Sequence, residues 1–112
     1  MTDEQLHAYA DSLAHKFIIT DGHIDLPDRL KESNFTKDSI SVLISTKKGD
    51  LDFERAMKGG LDAPFMSIYI PSTYQQHSDF GKALADSLID MVNLIAQQLP
   101  DKFALAKTPA EV

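Results

Sequence analysis

Apolar residues recur every three or four positions at the start of this 112-residue chain, which predicts a helix over residues 2–16. Thr2, with Gln5 three residues later, matches the capping box that begins many helices. The run KFIITDGHIDLP then predicts a strand that ends at Pro27. Residues 28–48 have no clear period, so we expect a long loop with a short element inside it.

The middle of the chain predicts a short helix followed by a second strand. In DLDFERAMKGG, Asp50 or Asp52 is a suitable N-cap, and Gly59 and Gly60 supply the left-handed conformation in which helices often end. The segment APFMSIYIP, residues 63–71, is a nearly continuous apolar run of strand length. Such runs are typical of strands that are covered on both faces in parallel sheets.

The longest predicted helix covers residues 78–99, where apolar residues lie three or four positions apart and polar residues fill the remaining positions. Its apolar positions are Phe80, Leu84, Leu88, Met91, Val92, Ile95 and Leu99. Residues 102–106, KFALA, predict a short third strand. Thr108, Pro109 and Glu111 then form a complete helix-start signal.

The predicted elements alternate: a helix, then strand, helix, strand, helix and strand, then the start of another helix. This alternation indicates an α/β fold in which parallel strands are joined by helical crossovers. Because the chain stops directly after a helix-start signal, we expect it to be the front part of a longer protein.

Composition narrows the classes of protein to which this chain can belong. Apolar residues make up 43% and charged residues 25%, as in one ordinary soluble domain. The net charge of -6 argues against a nucleic-acid-binding surface, and the absence of cysteine excludes disulfides and thiolate metal sites. The polar, acidic N-terminus is unlike a signal peptide, and no apolar run is long enough to span a membrane. We therefore expect a soluble protein, cytoplasmic by default.

The segment DGHID carries the candidate chemistry. Asp21, His23 and Asp25 occupy alternate positions, so a strand that continues through them projects all three side chains to one side at its carboxyl end. Imidazole nitrogen and carboxylate oxygen both bind zinc, which makes His23 and Asp25 candidate metal ligands. Asp21 is a candidate for orienting His23 by a hydrogen bond. A solvated strand end is the alternative for all three, and His7, His15 and His77 are predicted to be surface histidines.

Two segments in order, DGHIDLP and GDLDFERAMKGGLDAPFMSIYIP, resemble the opening of the membrane (renal) dipeptidase family of metal-dependent dipeptidases. The resemblance runs from about residue 15 to the end of the chain. Ile24 stands where many members carry a polar residue, and Met66 stands where an aromatic residue is common. Because Ile24 is expected to point away from the metal face, only Met66 leaves the substrate specificity open.

The resemblance implies that residues 1–112 are the N-terminal fragment of a single (β/α)8 barrel domain, with about three parallel strands and crossover helices. It implies a two-zinc centre that hydrolyses the peptide bond of dipeptides, with His23 and Asp25 as ligands of one zinc ion. The other family ligands would lie beyond Val112, so we expect this chain alone to be inactive. Tyr69, near the end of the second strand, is a candidate substrate-pocket residue, with packing or surface exposure as the alternative.

Two other interpretations stay open at this stage. One is a non-catalytic α/β module that keeps the beginning of the fold and associates with other copies through its open sheet edge. The other is a different metal hydrolase with a similar strand motif, which is disfavoured because it does not explain the segment KGGLDAPFMSIYIP.

Overall fold

The computed structural model describes the backbone of residues 1–112 and every side chain except that of Ser78. The helices are α1 (Asp3–Lys16), α2 (Leu26–Glu32), α3 (Phe53–Gly59) and α4 (Ser78–Gln98). Short 3₁₀ helices cover Lys37–Leu43, Ser72–Gln76 and Pro109–Glu111. The strands β1 (Ile19–Ile24) and β2 (Leu61–Met66) pair in parallel, which confirms the mixed α/β class and the helical crossover between the first two strands.

Local signals account for the ends of the predicted helices. At the start of α1, the Gln5 amide donates to the Thr2 hydroxyl at 3.2 Å and the Thr2 amide donates to the Gln5 side chain at 2.9 Å. Asp52 caps α3, and Gly60 follows it with φ of 81°, a left-handed conformation that glycine adopts without strain. The predicted capping box and the predicted ends of α3 are therefore confirmed.

The predicted loop over residues 28–48 contains the expected short element, the 3₁₀ helix Lys37–Leu43, but its beginning is helical where a loop was expected. Pro27 lies in the first turn of α2 rather than stopping the strand. Proline is tolerated there because an amide in the first turn of a helix has no partner within the helix. The side chains of Leu26, Pro27 and Leu30 are buried, so packing selects the helix.

The predicted third strand at residues 102–106 is also wrong, because the described backbone pairs only two strands. The amide of Phe103 donates to the carbonyl of Leu99 at 2.9 Å and closes a turn that follows the end of α4. The Phe103 ring packs edge-to-face on Phe53, with 5.7 Å between the ring centroids. The segment therefore contributes to the core through the Phe103 side chain. The helix-start signal after it forms the 3₁₀ helix Pro109–Glu111.

The β1–β2 pairing is irregular at two points. Ile19 pairs with Leu61 and Thr20 with Ala63, so Asp62 is an extra residue on β2, and its carboxylate accepts a hydrogen bond from the Ile19 amide at 2.8 Å. A second irregularity lies between Asp21 and Ile24. Such bulges bend a strand and re-aim its side chains, so simple alternation does not hold through the DGHID segment.

The core lies between α2 and α4, and Ile24 and Met66 at the ends of the two strands pack against it. Its fully buried cluster consists of Leu26, Leu30, Leu43 and Ile95. Neither strand contains a fully buried residue, and the Phe65 side chain on β2 is 65% exposed. The prediction that the second strand is covered on both faces is therefore wrong here. In the described chain, no third strand or second helix layer packs on the face of β2 that carries Phe65. No helix of the described residues is long and apolar enough to cross a membrane.

Candidate metal site at the carboxyl end of β1

The candidate site lies where β1 ends and α2 begins. β1 stops at Ile24, and Asp25 is the N-cap residue of α2, with φ of -87° and ψ of 32°. The amide of Ser67, just past β2, donates to the carbonyl of Ile24 at 2.9 Å. The carboxyl ends of the two parallel strands thus meet at one edge, and Asp25 lies just beyond it rather than in the strand as predicted.

The side chains of His23 and Asp25 meet across this bend. The distance between Nε2 of His23 and Oδ1 of Asp25 is 3.1 Å, which is a hydrogen bond. A carboxylate only accepts, so the proton in this hydrogen bond is on Nε2. The two side chains are 70% and 56% exposed, so an ion can reach the pair from the solvent.

The donor atoms of this pair lie near the spacing of two ligands on one zinc ion. Nitrogen and oxygen ligands lie roughly 2.0–2.2 Å from zinc, so two ligands of a tetrahedral ion are about 3.3–3.6 Å apart. The 3.1 Å between the His23 and Asp25 atoms is about 0.2 Å shorter than this range, so a small separation of the two side chains would admit the ion. Among the described residues no third histidine, cysteine or carboxylate joins them in one cluster. The described residues therefore offer two candidate ligands, whereas a catalytic zinc needs at least three.

Asp21 contacts the backbone of His23 rather than its ring. Its Oδ1 accepts a hydrogen bond from the His23 amide at 2.9 Å, a turn in which an aspartate binds the amide two residues on. Asp21 therefore holds the main chain at the bulge, and its predicted role in orienting the His23 ring stays a prediction.

The remaining candidates lie outside the His23–Asp25 contact. Tyr69 follows β2, two residues after Ser67, and its side chain is 48% exposed. His7, His15 and His77 are exposed, as predicted. The His15 ring, however, contacts the carbonyls of Asp11 and Met57 and so joins α1 to α3.

Two shallow surface grooves, of about 460 and 540 Å³, lie along α4. The walls of the first include Tyr74, His77 and Phe80, and those of the second include Phe35 and Met91. Neither groove is lined by a candidate ligand.

Sequence reasoning missed a polar cluster that supports the loop after the candidate site. Asp52 is 3% exposed and accepts hydrogen bonds from the Arg55 amide at 2.8 Å and the Arg55 guanidinium at 2.6 Å. The Arg55 amide, followed by its guanidinium and the Thr46 amide, lowers the pKa of Asp52 below its usual value. The only local signal for this cluster is the N-cap position of Asp52, because its other partners come together only in the fold.

The fold and the site together define an α/β protein with a candidate pair of zinc ligands at the carboxyl end of its first strand. The model of the membrane dipeptidase family, peptidase family M19, matches residues 7–112. This chain therefore belongs to the membrane dipeptidase family.

Similar curated proteins are both named as dipeptidases. The chain is 27% identical to "Dipeptidase ataJ" of Aspergillus terreus over 112 residues, covering 92% of this chain and 27% of that protein. It is 30% identical to "Dipeptidase 3" of Rattus norvegicus over 100 residues, covering 89% of this chain and 20% of that protein. The chain thus spans about a quarter or less of the length of these relatives, and no solved structure gives a significant match.

Proposed function

We propose that this chain carries part of the metal site of a zinc-dependent dipeptidase, with His23 and Asp25 as ligands of one of two zinc ions. The observation that carries the proposal is the 3.1 Å approach of their donor atoms at the carboxyl end of β1. In parallel α/β folds this edge is where ligands and catalytic groups gather. Family membership and the names of the relatives support a dipeptide as the substrate.

Bound zinc would supply an acidified water and would polarise the carbonyl of the scissile peptide bond. The contribution of this chain is to hold two ligands close together. To bind zinc through Nε2, the neutral His23 ring must carry its proton on Nδ1, while Asp25 stays ionised.

We also propose that residues 1–112 are the opening part of a (β/α)8 barrel domain. Two whole-chain quantities support this. The accessible surface is 8235 Å², against about 6,100 Å² for a compact monomer of this mass. The radius of gyration is 16.5 Å, against about 13 Å for a compact domain of this length. The excess surface is what strands and helices of a completed barrel would cover.

Zinc binding by the purified 112-residue chain tests the ligand assignment directly. Titration calorimetry with zinc chloride should give binding that His23→Ala and Asp25→Ala each weaken by more than about tenfold. His7→Ala is the matched control, because His7 is an exposed histidine on α1. Equal affinity in the wild-type and His23→Ala chains would remove His23 from the site.

Hydrolysis tests the activity at the level of the whole enzyme. A longer protein that contains this sequence should hydrolyse dipeptides in a zinc-dependent way, and His23→Ala should abolish the activity. The 112-residue chain alone should be inactive, since it holds two ligands of a larger set. Full activity of the longer His23→Ala protein would contradict the assignment.

A non-catalytic module remains the second candidate function, and the open edges of the two-stranded sheet favour it. It predicts association between copies without specific zinc binding. The same calorimetric titration separates the two, because a module that has lost its chemistry would bind zinc no differently after His23→Ala.

A further inference from the structure

Arg29 connects the candidate site to a loop that the proposed chemistry does not use. It lies on α2, one turn after Asp25, and its amide donates to the Asp25 carbonyl at 3.1 Å. Its half-buried guanidinium donates to the carbonyl of Lys48 at 3.3 Å and to that of Leu51 at 3.1 Å. One side chain thus ties the first turn of α2 to residues 46–52, here called the clamped loop.

Gly49 makes room for this guanidinium. A Cβ at position 49 would lie 1.7 Å from Nη1 and 2.6 Å from Cζ of Arg29, and Gly49 has φ of 68°. The space that any other side chain would occupy is therefore taken by Arg29. Because two carbonyls hold the guanidinium in place, a methyl group at this position would push it out.

The clamped loop is held from its other side by α3. The Arg55 guanidinium donates to the carbonyl of Gly49 at 3.0 Å and to the buried carboxylate of Asp52 at 2.6 Å. Asp52 also accepts from the Thr46 amide at 3.3 Å. The loop therefore has a fixed shape against which Arg29 can hold α2.

Asp25 depends on α2 for its direction. It lies outside the β1–β2 ladder, its side chain makes no capping hydrogen bond, and it is more than half exposed. α2 has seven residues, and helices this short are not stable without tertiary contacts. The contacts that orient α2 therefore orient the Asp25 carboxylate towards His23.

We propose that Arg29 is a positioning residue of the His23–Asp25 pair, acting by holding the first turn of α2 against the clamped loop. The inference rests on the proposed function, in which this pair binds zinc. It predicts that loss of the two Arg29 hydrogen bonds leaves both ligands present but displaced from each other. Loss of an outer contact of this kind typically weakens metal binding by about tenfold or more.

Zinc calorimetry on the 112-residue chain, at a temperature where urea curves show each variant folded, tests the inference. Arg29→Gln should weaken zinc binding about tenfold. Arg29→Lys should not restore it, because an ammonium lacks the planar fork that reaches two carbonyls. Gly49→Ala, which leaves Arg29 intact and changes no charge, should weaken binding to a similar extent.

Lys31→Gln is the matched control, because it removes a positive charge from the same helix without touching the clamped loop. Its zinc affinity should equal that of the wild-type chain. In the metal-free protein, backbone NMR signals of His23 and Asp25 should shift in the Arg29 and Gly49 variants and stay in place in Lys31→Gln.

The outcomes separate this inference from the proposed function. If His23→Ala abolishes zinc binding while Arg29→Gln and Gly49→Ala bind as tightly as wild type, Arg29 does not position the pair. If His23→Ala binds zinc as tightly as wild type, the proposed metal site itself is wrong and the inference is overturned with it. If Arg29→Gln does not fold, the zinc affinities of Arg29→Lys and Gly49→Ala decide whether Arg29 positions the pair.

Discussion

Asp25 and Asp52 both occupy the N-cap position of a seven-residue helix, yet their carboxylates have different partners. Asp52 has extended backbone angles and accepts from the Arg55 amide, as an N-cap residue normally does. Asp25 has φ of -87° and ψ of 32° and makes no capping hydrogen bond, and its carboxylate contacts His23 instead. The start of α2 therefore lacks the usual capping hydrogen bond, and departures of this kind from local preference are expected at functional sites.

We therefore predict that alanine substitution separates the two aspartates. Asp25→Ala should change the free energy of unfolding by less than about 0.5 kcal/mol, because no cap is lost, while it removes zinc binding. Asp52→Ala should destabilise the chain much more, because it leaves the Arg55 side chain and two amides without their partner. Urea unfolding at neutral pH measures both changes.

Acid provides the control for Asp52. Its pKa is lowered in the fold, chiefly by the Arg55 amide, so its contribution is present above the ordinary value of 3.8 and is lost as the pH falls through the lower native pKa. The difference in free energy of unfolding between wild type and Asp52→Ala should disappear as the pH falls through that native pKa. A difference that stays constant into acid would show that the charge of Asp52 does not stabilise the fold.

Gly59 and Gly60 give a second matched pair at the residue scale. Gly60 has φ of 81°, and a Cβ there would lie 2.7 Å from the backbone carbonyl oxygen of Ala14, whereas a Cβ at Gly59 meets nothing within 4 Å. Gly60→Ala should destabilise by roughly 1–3 kcal/mol through left-handed strain and displacement of α1. Gly59→Ala should be neutral or slightly stabilising in urea unfolding, since alanine is the better helix former. Equal effects of the two substitutions would contradict this explanation.

At the scale of the elements, His15 joins α1 to the end of α3. Nδ1 lies 2.9 Å from the carbonyl oxygen of Asp11, and Nε2 lies 3.1 Å from that of Met57. Both oxygens only accept, so the two hydrogen bonds form together only when the ring is doubly protonated. The Asp11 carbonyl first, then the Met57 carbonyl, raise the pKa of His15, helped by the nearby carboxylates of Asp11 and Asp62.

The docking of α1 on α3 should therefore weaken as the pH rises. A raised native pKa means that the contribution of His15 is fully present below its unfolded pKa of 6.5 and is lost as the pH rises through the native value. The hydrogen-exchange protection factors of amides in the last turn of α1, which are corrected for the base-catalysed intrinsic rate, should fall across this range. His15→Gln should remove this fall, and His7→Gln, on the same helix, should leave it unchanged.

At the scale of the whole molecule, the chain leaves much apolar surface uncovered. Exposed side chains include those of Phe17, Ile18, Phe65, Phe80 and Leu105. Both strands of the sheet also have a free edge, which other chains can extend. The isolated chain should therefore associate with itself.

Light scattering coupled to size-exclusion chromatography should show a mass that rises with concentration. Phe65→Ser, on β2, should reduce this association without lowering the free energy of unfolding, because the ring is 65% exposed. Phe80→Ser is the matched control, since Phe80 is 61% exposed but belongs to α4 and not to the sheet. A concentration-independent monomer would contradict association through the sheet.

Features that depend on neighbouring residues were predictable from the sequence. The capping box at Thr2, the cap at Asp52, the left-handed Gly60 and the apolar stripe of α4 are each specified within a few positions. The same holds for the residue types of the DGHID segment. Local hydrogen bonds and side-chain periodicity act wherever such residues stand close in sequence, so these elements needed no knowledge of the fold.

Tertiary structure decided the features whose partners are distant in sequence. Burial of Leu26 and Leu30 turns the residues after Asp25 into a helix, and the packing of Phe103 on Phe53 takes the place of a third strand. The bulges in β1 and the start of α2 bring His23 and Asp25 to 3.1 Å by a bend rather than by strand alternation. By itself the sequence determined where α1, α3 and α4 begin and which residues carry the candidate chemistry. Only long-range packing and hydrogen bonding decided how those residues face one another, because such contacts form only once the chain has folded.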